Sequence, residues 1–413
     1  MEKHNSKNKH QLLSSGPEFF EDLLLEIDSA QDYIIIKSFL WRNDEIGINL
    51  AERLQQAASR GVKILVLKDR IGAFYEYGQQ NGQSYFHDQP KNEPLIDTHS
   101  LHTLYLQSRV LAKFYGNGIS VQEPNPQQHE LKENPNCTVV DGYKLYDHSK
   151  VIVVDGKSAY IGGITFGNEF YKDENRWIDY MLKIEDEEEC ERLLQVLRGG
   201  VDDQDKTKLQ FISDSALRAE DSSMHRYALD FMDASEDELV VEMPFLGNPD
   251  YINKITDLVK RNVNVVIVLP AMAASHHFRN LHFLKRLWRQ VDGSDDLNVA
   301  LLNSMVHSKL LVRDGEEALV GSHNFHMDTS VLEETNVHVR ESELAEQIRG
   351  RILQDFNEGE RFTNQVMWGR IIAQSRAEYA MIKVQTLMSI LRRGEIERVR
   401  GICSELVGEI ITS

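Results

Sequence analysis

Short apolar runs and helix-spaced apolar positions alternate along this chain, and their order repeats. Tyr33-Ile-Ile-Ile-Lys37-Ser38 predicts a buried strand, residues 46–58 carry apolar side chains at helical spacing, and Val62-Lys-Ile-Leu-Val-Leu67 predicts a second strand. The order returns later: Leu239-Val-Val-Glu-Met243 predicts a strand, residues 250–261 an amphipathic helix, and Val263-Asn-Val-Val-Ile-Val-Leu269 another strand. At each helix-to-strand junction stands Gly61 or Asn262, residue types that accept the left-handed conformation ending a helix. Strand–helix–strand units of this kind predict an α/β protein with a mixed sheet and packed helices in each half.

The acidic stretch from Glu185 to Asp214 predicts the boundary. It divides the chain into a flexible N-terminus (1–16), a first half (17–200), a second half (201–360) and a helical C-terminal extension (361–413). The runs Glu185-Asp186-Glu187-Glu188-Glu189 and Asp202, Asp203 and Asp205 read as a solvated face or linker. The halves differ in length, with 81 residues from Leu67 to His148 but 38 from Leu269 to His307. The surplus, residues 68–147, holds Phe74, Tyr75, Tyr77, Tyr85 and Phe86. It reads equally as a lid or as an excursion covering its own aromatics. In the extension, Val366, Trp368, Ile371, Ile372, Tyr379, Ile382, Leu387 and Leu391 form an apolar stripe. Such a stripe suits packing on the body, a dimer contact or an anionic membrane surface.

Two segments carry chemistry at identical spacing. One is His148-Ser-Lys150-Val-Ile-Val-Val-Asp155, followed by Gly162-Gly163; the other is His307-Ser-Lys309-Leu-Leu-Val-Arg-Asp314, followed by Gly321-Ser322-His323-Asn324. In each, an apolar run ends in Asp-Gly, a strong hairpin signal. Residues two apart on a strand share a face, so each copy is expected to present an imidazole beside an ammonium at the mouth of a hairpin. Asp155 and Asp314 read as structural, each bonding the backbone that follows it in an Asx turn. Two imidazoles brought together can divide a displacement between them, one as nucleophile and one as proton donor, without a metal.

The two segments resemble the H-x-K-x4-D-x6-G-[GS]-x-N signature of the phospholipase D superfamily. The second fits at every defined position; the first departs at Thr165, where the family has Asn. Gly162-Gly163-Ile164-Thr165-Phe166-Gly167-Asn168-Glu169-Phe170 and Trp177-Ile178-Asp179 look most like the bacterial cardiolipin synthase branch. The resemblance, from Tyr33 to Arg340, implies a duplicated phospholipase D fold: two mixed β-sheet halves flanked by helices, with the active site at their interface. It implies a phospholipid substrate and a covalent phosphohistidine, opened by water or by an alcohol such as phosphatidylglycerol. Within it, Lys150 and Lys309 would neutralise the phosphoryl oxygens, and Asn324, Thr165, Ser322 and Gly163 would contact substrate. A carboxylate after each motif would orient an imidazole: Asp179 after His148, and Glu334 or its neighbour Glu333 after His307.

Composition narrows the partners. A net charge of −19 opposes a polyanion, so a nuclease using the same site is the disfavoured alternative enzyme. A degenerate binding or scaffold member is the non-enzymatic alternative, and both His-Lys pairs being intact speaks against it. The apolar run from Val263 to Ala274 is too short to cross a bilayer and is broken by Pro270, and Met1 to Gly16 holds no apolar leader segment. Cys137, Cys190 and Cys403 lack metal or redox spacing, which suits a reducing cytoplasm, with peripheral contact at the inner membrane face. His99 and His102 have no carboxylate at ligand spacing, and His276 and His277 read as a solvated helix start, so neither a metal nor any other cofactor is expected.

Overall fold

The computed structural model describes residues 9–69, 72–73, 76, 85–86, 127–140, 147–172, 175–202, 207–219, 223–273, 277–291, 293–326 and 332–363. The expectations for Phe74, Tyr75, Tyr77, His99, His102, His276, Cys403, most of the 68–147 insertion and nearly all of the C-terminal extension lie outside the described residues.

The first half contains β1 (His10–Leu13), α1 (Gly16–Ser29), β2 (Tyr33–Ser38), α2 (Glu45–Ser59), β3 (Lys63–Lys68), α3 (Gln127–Glu133), β4 (Cys137–Val140), β5 (Val151–Val154), β6 (Ser158–Gly162), α4 (Asn168–Tyr171) and β7 (Met181–Ile184). The seven strands among its described residues lie in the order β1-β7-β6-β5-β2-β3-β4. Strands β2, β3 and β4 pair in parallel and the rest antiparallel, as crossover helices followed by hairpins require. The helix α5 (Glu187–Leu197) closes the first half, and the second contains β8 (Leu209–Ser213), α6 (Asp214–Ala219), α7 (Met224–Asp233), β9 (Glu238–Glu242), β10 (Leu246–Gly247), α8 (Pro249–Lys260), β11 (Asn264–Pro270), α9 (His277–Gln290), β12 (Leu297–Leu302), β13 (Leu310–Arg313), β14 (Glu317–Gly321), β15 (Phe325–His326), β16 (Thr335–Val339), α10 (Ser342–Glu358) and β17 (Glu360–Arg361). Its main sheet runs β17-β12-β11-β9-β13-β14-β16-β8. Read from the β8 end, this repeats the order of the first sheet and adds one strand.

Both sheets are buried on two faces, which explains their near-continuous apolar strands. Ile35, Val153, Ile161 and Leu182 of the first sheet share one core with Val240, Val268, Val312 and Val337 of the second, and α5 and α10 close its ends. The outer face of the first sheet packs on α1 and α2 through Phe20, Leu23, Leu50 and Leu54. The outer face of the second packs on α7, α8 and α9 through Phe231, Ile255 and Leu287. Each fully buried aliphatic side chain contributes about 1.5–3 kcal/mol, so the shared core ties the halves into one body.

Two expectations change. Residues 10–13, placed in a flexible N-terminus, form an edge strand paired with β7. The acidic run, read as a solvated face or linker, opens a helix with Glu187 and Glu188 exposed: Asp186 caps α5 by accepting from Glu189 N, and the acids of its first turn favour the positive end of the helix dipole. Glu189 is itself buried, 2.6 Å from His10.

The hairpin turns behave as their Asp-Gly pairs predict, and Asp155, Gly156, Asp314 and Gly315 all have positive φ. The carboxylates do something other than bond the backbone after them. Asp155 accepts from the amides of Gln31, Asp32 and Tyr33 at 2.9–3.0 Å. Asp314 accepts from those of Glu236, Asp237 and Glu238 at 2.8–3.2 Å. Each motif Asp thus gathers the amides entering the neighbouring strand, β2 or β9, and locks its hairpin to that strand.

Candidate active site

The motif histidines do not sit inside paired strands as expected. His148 and Lys150 occupy the extended run entering β5, and His307 and Lys309 the run entering β13. Each run is held by the opposite half: His148 N donates to Glu333 O, and His307 N donates to Ile178 O, both at 2.8 Å. Single bridges between Asp147 and Glu333, and between Ile178 and Val306, stitch the two motifs together at the interface.

This stitching decides which carboxylate serves which imidazole. His307 Nδ1 lies 2.6 Å from Asp179 Oδ2, and His148 Nδ1 lies 3.1 Å from Glu334 Oε2. Each histidine is therefore oriented by the carboxylate that follows the other motif. Glu334 rather than Glu333 makes the contact; Glu333 Oε1 accepts from Ser215 N at 3.0 Å. A carboxylate on Nδ1 holds the proton there and leaves Nε2 with its lone pair exposed for chemistry.

The lysines complete each pair by folding back, Lys150 Nζ onto His148 O and Lys309 Nζ onto His307 O. Lys309 Nζ also lies 3.0 and 3.3 Å from the two ring nitrogens of His307. Four buried cationic or potentially cationic groups then compete for charge. Burial first, then the nearby lysines, hold His148 well below its ordinary value and His307 at about 4. Burial also lowers Lys150 to about 7 and Lys309 to about 8 against the opposing pull of Glu334 and Asp179. Glu334 is pushed up to about 8 by burial, with Lys150 and then the Ser322 hydroxyl opposing. An anionic phosphoryl group placed among these residues would restore charge to all the bases, the behaviour expected of a phosphate site.

Two residues expected to touch substrate also border the carboxylates. Ser322 Oγ accepts from Thr335 N at 3.1 Å, donates to Thr335 O at 3.3 Å, and borders Glu334. Gly163, its counterpart, leaves room for Asp179: a Cβ there would stand 2.3 and 2.4 Å from the two carboxylate oxygens. Gly163→Ala is therefore expected to displace Asp179, lowering kcat by about tenfold or more, with overpacking of about 1–3 kcal/mol in stability. Steady-state kinetics with a melting curve would check this, and a native kcat would place the strain elsewhere. Thr165 and Asn324 lie beyond β6 and β14, both buried, and Thr165 Oγ1 and Asn324 Oδ1 have no hydrogen-bond partner among the described residues.

Aromatic rings form the walls. Phe39 meets His148 edge-on at 4.8 Å, while Phe170 and Trp177 lie 5.3 and 5.4 Å from His307. Phe245, Ala273 and Met305 pack with Trp177 into an apolar patch on that side. These walls were not foreseen. Phe39 directly after β2 and Phe170 in the segment after the first motif were the available signals.

The sequence profile described as "Cardiolipin synthase, PLD-like domain" matches residues 23–198 and 228–356. The chain belongs to this family. The Bacillus subtilis (strain 168) protein named "Probable cardiolipin synthase YwiE" is 18% identical over 406 residues, 91% of this chain and 71% of that protein. Cardiolipin synthase B of Escherichia coli (strain K12) is 26% identical over 162 residues, which is 39% of this chain and 30% of its own length. The crystal structure of phosphatidylserine synthase from Haemophilus influenzae matches with a TM-score of 0.63 at 15% identity, covering 93% of this chain and 95% of that one. That match carries the duplicated fold. As a member of the cardiolipin synthase PLD-like family, the chain is an enzyme of the phospholipase D superfamily. Among its described residues no helix is long and apolar enough to cross a membrane.

Proposed function

We propose that this enzyme transfers a phosphatidyl group from a phospholipid to an alcohol, with water as the competing acceptor, through a covalent phosphohistidine. One observation carries the reading: two imidazoles, each with a carboxyl group on Nδ1, brought to one interface by backbone bonds between the halves. Nε2 of one histidine attacks phosphorus and forms the N–P bond. As the P–O bond to the head group breaks, the other imidazolium gives its proton to the leaving oxygen. That imidazole, now neutral, takes the proton of the incoming hydroxyl, whose oxygen attacks phosphorus and breaks the N–P bond. Lys150 and Lys309 neutralise the phosphoryl oxygens as charge builds. The apolar patch around Trp177 beside His307 favours a lipid over a nucleic acid as the bearer of the phosphodiester, in line with the chain's net charge of −19.

The test is product analysis by mass spectrometry on mixed phospholipids, with and without glycerol or phosphatidylglycerol, in the presence of EDTA. A new phosphatidyl product that depends on the added alcohol and survives EDTA is expected. Cleavage of single-stranded DNA with no lipid product would favour the nuclease alternative.

The two half-sites should contribute unequally to the phosphate cradle. The Asn324 amide reaches further than a hydroxyl and offers two donors. Asn324→Ala is expected to lower kcat/KM by about a hundredfold, the usual loss for one transition-state donor, and Thr165→Ala by about tenfold or less. Equal losses in the two variants would restore two equivalent half-sites.

A further inference from the structure

Beneath the His307 side of the site lies a buried polar cluster that the transfer chemistry does not use. Glu242 ends β9 and Asp355 lies on α10, and neither side chain is exposed. Ser308, between His307 and Lys309, donates its hydroxyl to Glu242 Oε1. Tyr180, directly after Asp179, donates its hydroxyl to Asp355 Oδ2 at 2.6 Å. Arg351 reaches Asp355 Oδ1 at 3.0 Å and the Tyr180 hydroxyl at 3.1 Å. Glu242 Oε2 meets no donor among the described residues, and the Glu242 side chain adjoins the Asp355 carboxylate.

Two carboxylates in contact out of water cannot both be ionised without a large repulsive cost. With a proton on Glu242 Oε2 every group finds a partner: Ser308 donates to Glu242, Glu242 to Asp355, and Tyr180 and Arg351 to Asp355. The corresponding position in the first half is Lys37, which stands opposite Val151 as Glu242 stands opposite Leu310. Lys37 pairs with Asp147 at 2.5 Å. One half therefore carries an ion pair behind its motif and the other a pair of acids.

We propose that Glu242 and Asp355 share a single proton, and that this pair is a positioning device for His307. The pair holds Ser308 and Tyr180, the neighbours of His307 and Asp179, against each other across the interface. Burial and then Asp355 hold Glu242 well above the ordinary carboxyl value of 4.5, against the Ser308 hydrogen bond and Arg351. Burial likewise raises Asp355, with Tyr180 and Arg351 opposing and Glu358 adding to the rise. Because the folded value is raised, the native chain keeps one proton that the unfolded chain releases above its carboxyl range. Stability from this pair is full below that range and falls as pH rises.

The experiment compares the full native chain with Glu242→Gln, Glu242→Leu and Ser308→Ala. Between about pH 5.5 and 7, the native unfolding constant should rise about tenfold more per pH unit than that of Glu242→Gln, the signature of one linked proton. An infrared band of a protonated carboxyl should disappear in Glu242→Gln. The amide keeps a donor for Asp355 and an acceptor for Ser308, so its kcat should stay within about threefold of native. Glu242→Leu should lose about tenfold or more in kcat with KM nearly unchanged, the mark of a misplaced reacting group. If that variant does not fold, Ser308→Ala should show the same split on a smaller scale. Parallel pH slopes with an unchanged infrared band, or a Glu242→Gln loss as deep as that of Glu242→Leu, would overturn the shared proton. A native kcat in folded Glu242→Leu, or in Ser308→Ala where Glu242→Leu is unfolded, would overturn the positioning role. The kinetic arm rests on the proposed transfer reaction; the unfolding and infrared arms do not, so the two readings can fail separately.

Discussion

His148→Asn and His307→Asn are each expected to lower turnover by about a thousandfold or more while the chain stays folded. The amide of Asn is smaller than imidazole and can form neither the N–P bond nor the proton relay. In the proposed mechanism both histidines work on the same phosphorus, so losing either would remove the whole cycle, and the double variant should be little worse than the singles. The fold should survive because what is lost is a side chain at an interface. The backbone bonds from His148 N to Glu333 O and from His307 N to Ile178 O remain. Turnover measured beside circular dichroism and melting curves separates the cases, and near-native activity in either folded variant would remove the two-histidine mechanism.

Asp179→Asn is expected to cost about a thousandfold in kcat, with a milder loss for Glu334→Gln. Asp179 sits 2.6 Å from His307 Nδ1, and an amide there offers a donor where an acceptor is needed, turning the ring to the wrong tautomer. Glu334 stands further from His148, at 3.1 Å, and its carboxyl is pushed up to about 8. Its hold on the ring is the weaker of the two, so its replacement by an amide should cost less. The crossed arrangement has its own readout in proton NMR of the imidazole Nδ1–H resonances. Asp179→Asn should perturb the signal of His307 and leave that of His148, although Asp179 follows His148 in the chain. Perturbation of His148 alone would mean that each carboxylate serves its own motif.

Much of the architecture was legible because it depends on local periodicity. The strand Tyr33–Ser38 falls as predicted, and the helices Glu45–Ser59 and Pro249–Lys260 lie within a residue of their apolar patterns. Gly61 and Asn262 take the positive φ that their places after those helices implied. The site was legible as a set of residues but not as a set of contacts. That Asp179 turns to His307 and Glu334 to His148 depends on how the halves dock, and spacing along the chain favoured neither pairing. Gly163 and Ser322 belong to the motif, and the resemblance places them at the substrate. Their work, making room for Asp179 and bordering Glu334, appears only when Cβ positions and hydroxyl partners are known. Glu242 did leave a sign: a carboxyl inside Leu239-Val-Val-Glu-Met243 breaks an otherwise apolar strand, as Lys37 does in Tyr33-Ile-Ile-Ile-Lys37-Ser38. A polar residue at such a position needs a buried partner, and that partner, Asp355, lies 113 residues further on.

The most direct measurement is acid-free denaturing quench of the enzyme turning over a phospholipid labelled in its phosphate, followed by peptide mapping of the label. An acid-labile, base-stable label on His148 or His307 is expected, formed without added metal and discharged faster when an alcohol acceptor is present. Turnover of the phospholipid with no label on either histidine at any time, or with the label on a hydroxyl side chain, would contradict the proposed mechanism.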